Sequence, residues 1–159
     1  MKRPEQALAN LLKEKELTIA FAESMTCGLL THKLGTIAGT SDVLTGSVIC
    51  YQSKVKTDVL RVKKTIIKKH TPESQIVTDQ LAKGLKKLIK ADVHAAITGL
   101  AAEGASETKT KPVGTVFYAF LYKKKLYRSK KRFTGSPMQI KEKACAEFFR
   151  FLLKEIKIS

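Results

Sequence analysis

The chain of 159 residues carries 30 lysines and arginines against 14 aspartates and glutamates, a formal net charge of +16 at pH 7. This length suits one domain, and a hydrophobic content of 43% excludes a globally disordered protein. No apolar run approaches the ~20 residues of a membrane-spanning helix, and the first residues lack the apolar stretch of a secretory signal. We therefore expect a single domain over residues 1–159, located in the cytoplasm, with no membrane partner.

The positive charge comes mainly from lysine, which supplies 25 of the 30 basic residues. Arginine is the side chain that reads base edges and binds phosphates bidentately, so this balance argues against sequence-specific nucleic-acid recognition. A lysine-rich surface still attracts polyanions non-specifically and steers a small anionic substrate inward. The three cysteines, Cys27, Cys50 and Cys145, form no CxxC pair. They predict neither a disulfide framework nor a metal site.

The first half of the chain alternates predicted helices with short apolar strands. A helix is expected over residues 4–16 and another over 29–34. Residues 17–22 and 47–51 are apolar at both odd and even positions, which is typical of strands covered on both faces. A short helix should lie within residues 52–61.

In the second half, Thr78 is the predicted N-cap of an amphipathic helix. Residues 93–97 form a third buried strand, and residues 114–122 a long strand. A hairpin turn then leads to a basic edge strand over residues 126–133. Ser136, followed by proline and then glutamine at the third helical position, predicts the start of the closing helix.

Strands that alternate with helices predict an α/β fold, here a three-layer α/β/α sandwich with a central, mostly parallel (mixed) sheet. In such folds, sites form beyond the carboxyl ends of the strands. Three predicted strands end in candidate site residues, which are Glu23-Ser24, Tyr51 and Thr98-Gly99. We expect these residues at one edge of the sheet.

Ser24 stands where a strand turns into a helix, which leaves two interpretations open. Its hydroxyl could attack a substrate carbonyl, with backbone N–H groups at the helix start stabilising the oxyanion. Alternatively, it only caps the helix. A serine nucleophile also needs a base, and the three isolated histidines, His32, His70 and His94, are poorly placed for this role.

A lysine such as Lys56 can serve as the base only if its pKa falls well below the free value of ~10.4. The Tyr51 hydroxyl, placed between the two, could relay the proton or fix the lysine. The alternative for Tyr51 is a partly buried strand residue whose hydroxyl is hydrogen-bonded. The loop over residues 98–105 could admit a ligand close to its backbone at Gly99 and Gly104, or could be a plain crossover.

Four segments match, in order and in spacing, the motifs of one known family. Residues 17–28 resemble LTIATAESCTGG, residues 46–56 resemble GGVVTYSNEAK, residues 97–101 resemble ITGIA, and residues 111–116 are identical to KPVGTV. Several motifs in register are far more specific than one. Over roughly residues 5–155, the chain resembles the CinA C-terminal domain family.

The resemblance implies an α/β/α domain that hydrolyses the carboxamide of nicotinamide mononucleotide to nicotinate mononucleotide and ammonia, without a metal or cofactor. By the same resemblance Ser24 is the nucleophile, Lys56 its base, and Tyr51 assists. The substrate-binding positions would be Glu23, Thr26, Gly28, Gly46, Thr98 and Gly99. The chain looks like the stand-alone form of the domain, and we expect a small anionic nucleotide as substrate and a homo-oligomer.

The chain departs from the family pattern at three places. Cys27 replaces the first glycine of TGG, Ala102-Glu103 replaces the G-P after ITGIA, and residues 135–137 read GSP in place of GDR. A carboxylate at position 103 would repel a substrate phosphate. These departures motivate an alternative, a catalytically weakened or inactive module of the same fold that binds a nucleotide or a partner protein.

Overall fold

The computed structural model describes residues 3–159, which contain six helices and five strands. The helices are α1 (Pro4–Glu14), α2 (Leu29–Gly35), α3 (Ser53–Asp58), α4 (Lys64–His70), α5 (Gln75–Leu88) and α6 (Pro137–Ile158). The strands are β1 (Ile19–Glu23), β2 (Leu44–Ile49), β3 (Val93–Gly99), β4 (Thr115–Tyr122) and β5 (Lys125–Arg132). None of the helices in residues 3–159 is long and apolar enough to cross a bilayer.

The strands form one mixed sheet in the order β2-β1-β3-β4-β5. Strand β1 pairs in parallel with β2 and with β3, whereas β4 runs antiparallel to both β3 and β5. The carboxyl ends of β1, β2 and β3 therefore lie side by side. The fold is the predicted three-layer α/β/α sandwich with a mixed sheet.

The two faces of the sheet carry side chains of different size. Large side chains such as Phe21, Tyr118 and Phe120 face the layer formed by α1, α2 and α6. The opposite face presents alanines, which pack against α5 and the segment before it: Ala20, Ala22, Ala96 and Ala119. Because alanine is small, α5 can pack close to this face. The preceding segment with α3 and α4 packs in the same cluster.

Two predicted elements differ in the structure. The predicted buried strand over 47–51 is the edge strand β2, and its last residue, Ile49, is 48% exposed. A short apolar run looks the same at the edge and in the centre of a sheet, since the order of strands is not encoded locally.

The N-cap of α5 is Ser74, whose side chain accepts a hydrogen bond from the Val77 N–H, and the prediction of Thr78 was wrong. The Thr78 hydroxyl instead donates to the Ser74 carbonyl, 2.7 Å away, so it continues a helix that has already begun. The edge strand β5 and the capping box at Ser136 are confirmed.

Candidate active site

Ser24 and Lys56 meet beyond the carboxyl end of β1, although 32 positions separate them in the chain. Ser24 follows the last residue of β1 directly, and Lys56 lies on the short helix α3, which follows β2. The Lys56 Nζ lies 2.9 Å from the Ser24 Oγ. The contact is direct, so a proton can pass between the two without a tyrosine relay.

The amine of Lys56 is enclosed by protein, since the residue is only 1% exposed. Its Nζ also donates to the backbone carbonyls of Cys50, at 2.5 Å, and Tyr51, at 3.1 Å. Burial lowers the pKa of Lys56 because the charged form loses its hydration, and electrostatic interactions with Cys50 and Glu73 oppose this shift only in part. The protein thus favours the neutral amine more than water does.

The three partners of the Lys56 nitrogen permit a neutral amine. The Cys50 and Tyr51 carbonyls can only accept hydrogen bonds, and they use the two N–H bonds of an –NH₂ group. The third partner, the Ser24 hydroxyl, can accept a hydrogen bond from the Lys56 nitrogen or, when the amine is neutral, donate its proton to the remaining lone pair. This geometry places a base in direct contact with the hydroxyl that it would deprotonate.

Glu23, predicted to bind substrate, organises the turn that follows β1. It is fully buried, and its carboxylate accepts five hydrogen bonds at 2.6–3.1 Å. The donors are the hydroxyls of Thr26 and Thr31 and the backbone N–H groups of Gly28, Leu30 and Thr31. The substrate contacts of Glu23 and Thr26 stay predictions, and in this structure the Thr26 hydroxyl donates to the Glu23 carboxylate.

The same turn presents backbone donors next to Ser24. Within the described part of the chain, the N–H groups of Met25 and Thr26 have no hydrogen-bond acceptor, whereas the Cys27 N–H binds the Ser24 carbonyl at 3.2 Å. Cys27 adopts a φ of 54°, in the left-handed region that favours glycine. The backbone thus keeps this left-handed conformation although Cys27 carries a side chain. The free N–H groups of Met25 and Thr26 lie beside the candidate nucleophile, where such groups can stabilise an oxyanion.

A cavity of about 300 Å³ opens beside Ser24. Tyr51, which is 63% exposed, and Gly99 line it on either side of Ser24. The remaining wall is formed by Met25, Glu73, residues 100–105, Pro137 and Lys141. Tyr51 is not the partly buried strand residue of the alternative interpretation, because it follows β2 and stands at the cavity mouth.

The predicted substrate-binding glycines and Thr98 have different positions. Gly99 lines the cavity, and a Cβ atom there would lie 2.5 Å from the Met25 Sδ. Thr98 is fully buried, and its hydroxyl pairs with that of Thr78 at 2.8 Å. Gly46 lies within β2 away from the cavity lining, and Gly28 donates its N–H to Glu23. The substrate-binding roles of Thr98, Gly46 and Gly28 stay predictions.

Three charged residues near the cavity were missed from the sequence. Glu73 and Lys141 line it, and Lys111 reaches its rim from the KPVGTV segment. Lys111 belongs to the KPVGTV motif, which by itself assigns no role to the lysine. The sequence around Glu73 and Lys141 contains no pattern that predicts a place in the site. Among the residues that the structure describes, no three histidine, cysteine, aspartate or glutamate side chains are grouped to hold a metal ion.

Comparison with known proteins places this chain in a family. The family model of the CinA C-terminal domain matches residues 1–156. The chain is 36% identical to a CinA-like protein of Petrotoga mobilis over 88% of its length and 35% identical to one of Thermotoga neapolitana over 96%. It spans only 34% and 37% of the lengths of these two relatives.

A solved structure shares the same fold. The crystal structure of a CinA superfamily protein from Klebsiella pneumoniae superimposes with a TM-score of 0.93, covering 98% of this chain and 97% of the other at 24% identity. At this identity the similarity concerns the fold, and the family model carries the assignment. The chain belongs to the CinA C-terminal domain family.

Proposed function

We propose that this protein is an amidohydrolase that cleaves the carboxamide of a pyridine mononucleotide, nicotinamide mononucleotide, with Ser24 as nucleophile and Lys56 as general base. One observation carries the proposal. A buried amine whose pKa is lowered by burial lies 2.9 Å from a serine hydroxyl at the wall of a cavity. An uncharged amine in contact with an alcohol is what activates a serine in the absence of histidine.

The proposed reaction proceeds through an ester. As the Ser24 oxygen attacks the carboxamide carbon, its proton passes to the Lys56 amine, and the developing oxyanion binds the N–H groups of Met25 and Thr26. The Lys56 ammonium returns that proton to the departing nitrogen, which leaves as ammonia. A water molecule then attacks the ester with Lys56 again as base, which releases the carboxylate and restores the Ser24 hydroxyl.

The cavity offers contacts for both ends of such a substrate. Tyr51 presents an exposed ring against which a pyridine ring can pack. Lys141 is half-buried on α6, and none of the ion pairs within residues 3–159 involves it, so its ammonium is available to a phosphate. Tyr51 would therefore assist by binding the ring, and Lys141 would hold the anionic end.

The test is ammonia release from nicotinamide mononucleotide by the purified full chain. We expect turnover by the wild type and a loss of at least about 100-fold in kcat for Ser24→Ala and for Lys56→Arg. Arginine keeps the positive charge but cannot be deprotonated, so it separates a base from a cation. The exposed Lys54→Arg on the same helix is the matched control and should retain full activity.

The alternative, an inactive binding module, is favoured by one specific observation. Glu103 lines the cavity, and a negative charge there would repel the phosphate of a nucleotide substrate. Calorimetric titration with the same nucleotide separates the two functions. Saturable binding by the wild type without ammonia release would contradict the enzyme and support the module.

A further inference from the structure

A second partly buried lysine, Lys111, joins two segments at the rim of the cavity. Its Nζ lies 2.6 Å from the Thr71 Oγ1, 2.7 Å from the Ser106 Oγ and 2.9 Å from the Glu73 carbonyl oxygen. Thr71 and Glu73 belong to the connection between α4 and α5, whereas Ser106 belongs to the loop between β3 and β4. Lys111, itself part of the β3–β4 loop, thus links this loop to residues 38–40 positions earlier in the chain.

The partners of Lys111 require an ammonium group, in contrast to those of Lys56. The Ser106 hydroxyl donates its proton to the Glu73 carboxylate, and the Thr71 hydroxyl donates to the Glu73 carbonyl. Both hydroxyl oxygens, and that carbonyl, can therefore only accept from Lys111. Three acceptors use the three N–H bonds of an ammonium group. Partial burial lowers the pKa of Lys111, and the nearby carboxylates of Glu73 and Glu107 oppose this shift.

This network holds the part of the loop that forms the cavity wall. Residues 100–105 line the cavity next to Ser24, and Ser106 follows them directly. Glu107 shapes the end of this segment, since its carboxylate accepts the N–H groups of Gly104, at 2.7 Å, and Ala105, at 2.9 Å. Across residues 3–159, the hydrogen bonds from this loop to the α4–α5 connection all involve Lys111 or Ser106.

We propose that Lys111 is a positioning residue, which acts through Ser106 and Glu73 to hold the wall over residues 100–105 in the shape that binds substrate. The inference rests on the proposed function for its effect on catalysis. Lys111 does not line the cavity and leaves the contact between Lys56 and Ser24 untouched. Its loss should therefore weaken substrate binding far more than the chemical step.

The experiment combines hydrogen exchange with kinetics on the full chain. In Lys111→Met, we expect amides of residues 100–106 to exchange at least about fivefold faster in the absence of substrate. The KM for nicotinamide mononucleotide should rise about tenfold, while kcat stays within about threefold, since charged hydrogen bonds of this kind are lost. Lys111→Arg should restore part of both properties, and the exposed Lys109→Met in the same loop should behave as wild type.

Unchanged exchange over residues 100–106 in Lys111→Met would overturn the inference, as would faster exchange with an unchanged KM. If Lys111→Met does not fold, Ser106→Ala removes the same link with a smaller change and should give the same two results. If the wild type releases no ammonia, the proposed function fails by itself. Exchange then still decides whether Lys111 holds the loop.

Discussion

The buried Lys56 and the partly buried Lys111 have hydrogen-bond partners of different kinds. Lys56 faces two obligatory acceptors and one hydroxyl that is free to donate, and Lys111 faces three oxygens that must accept. The first set permits an amine with a lone pair, and the second matches an ammonium. One residue type thus supports a base at one position and a charged link at another.

Glu103 and Lys141 should determine how strongly the site prefers a negatively charged substrate. Both line the cavity with opposite signs, so Lys141→Met should raise the KM for the anionic nucleotide about tenfold, and Glu103→Gln should lower it a few-fold. Steady-state kinetics at low ionic strength measure both. Equal effects on the uncharged nicotinamide would contradict the assignment, because that amide has no phosphate.

Sequence reasoning identified Ser24 and Lys56 only through the motifs of the family. Spacing alone predicted neither their contact nor the direct geometry, because the contact depends on how α3 packs after β2. The prediction that Glu23 binds substrate also rests only on these motifs. A carboxylate at the end of a strand has no local sign that it will turn into the protein and bind the following helix.

At the scale of elements, Gly84 shows a packing requirement that helix propensity opposes. An alanine in the middle of α5 should stabilise the helix by about 1 kcal/mol. However, a Cβ atom at Gly84 would lie 2.0 Å from the Leu60 carbonyl oxygen. We expect Gly84→Ala to lower the free energy of unfolding by about 1–3 kcal/mol, because the overpacked segment must move.

Denaturant unfolding measures this effect, with the exposed Lys83→Ala on the same helix as the control. Leu60 follows α3, so displacement of this segment should also disturb Lys56 and reduce activity. A stabilised Gly84→Ala variant would show that the close approach between α5 and the Leu60 backbone is not required.

The long elements were predicted well from the sequence, whereas the order of the strands in the sheet was not predicted. The apolar stripe of α5 and the capping box of α6 are written in local sequence and were recognised. The exposed edge position of β2 and the true start of α5 at Gln75 depend on neighbouring segments. They could not be read from the periodicity of a short run.

At the scale of the whole molecule, the burial of Lys56 links stability to pH. Its pKa in the folded protein lies below the usual value, so between the two pKa values the unfolded chain binds more protons. The free energy of unfolding should therefore rise with pH in this window, up to about pH 10.4.

Comparison with Lys56→Met isolates this contribution from the other lysines. The difference in free energy of unfolding, wild type minus variant, should increase from neutral pH toward pH 10, measured by urea unfolding. A difference that is constant over this range would mean that the folded protein does not shift the pKa of Lys56.

The most direct measurement of the central claim is the titration of the Lys56 side chain by NMR, with ¹³C-labelled lysine and the Lys56→Arg variant for assignment, alongside the pH dependence of kcat/KM. We predict a Lys56 pKa below the usual ~10.4. The logarithm of kcat/KM should rise with pH with a slope of one and level off above that same pKa. A Lys56 that titrates like the exposed lysines, or activity that does not follow its deprotonation, would contradict the account.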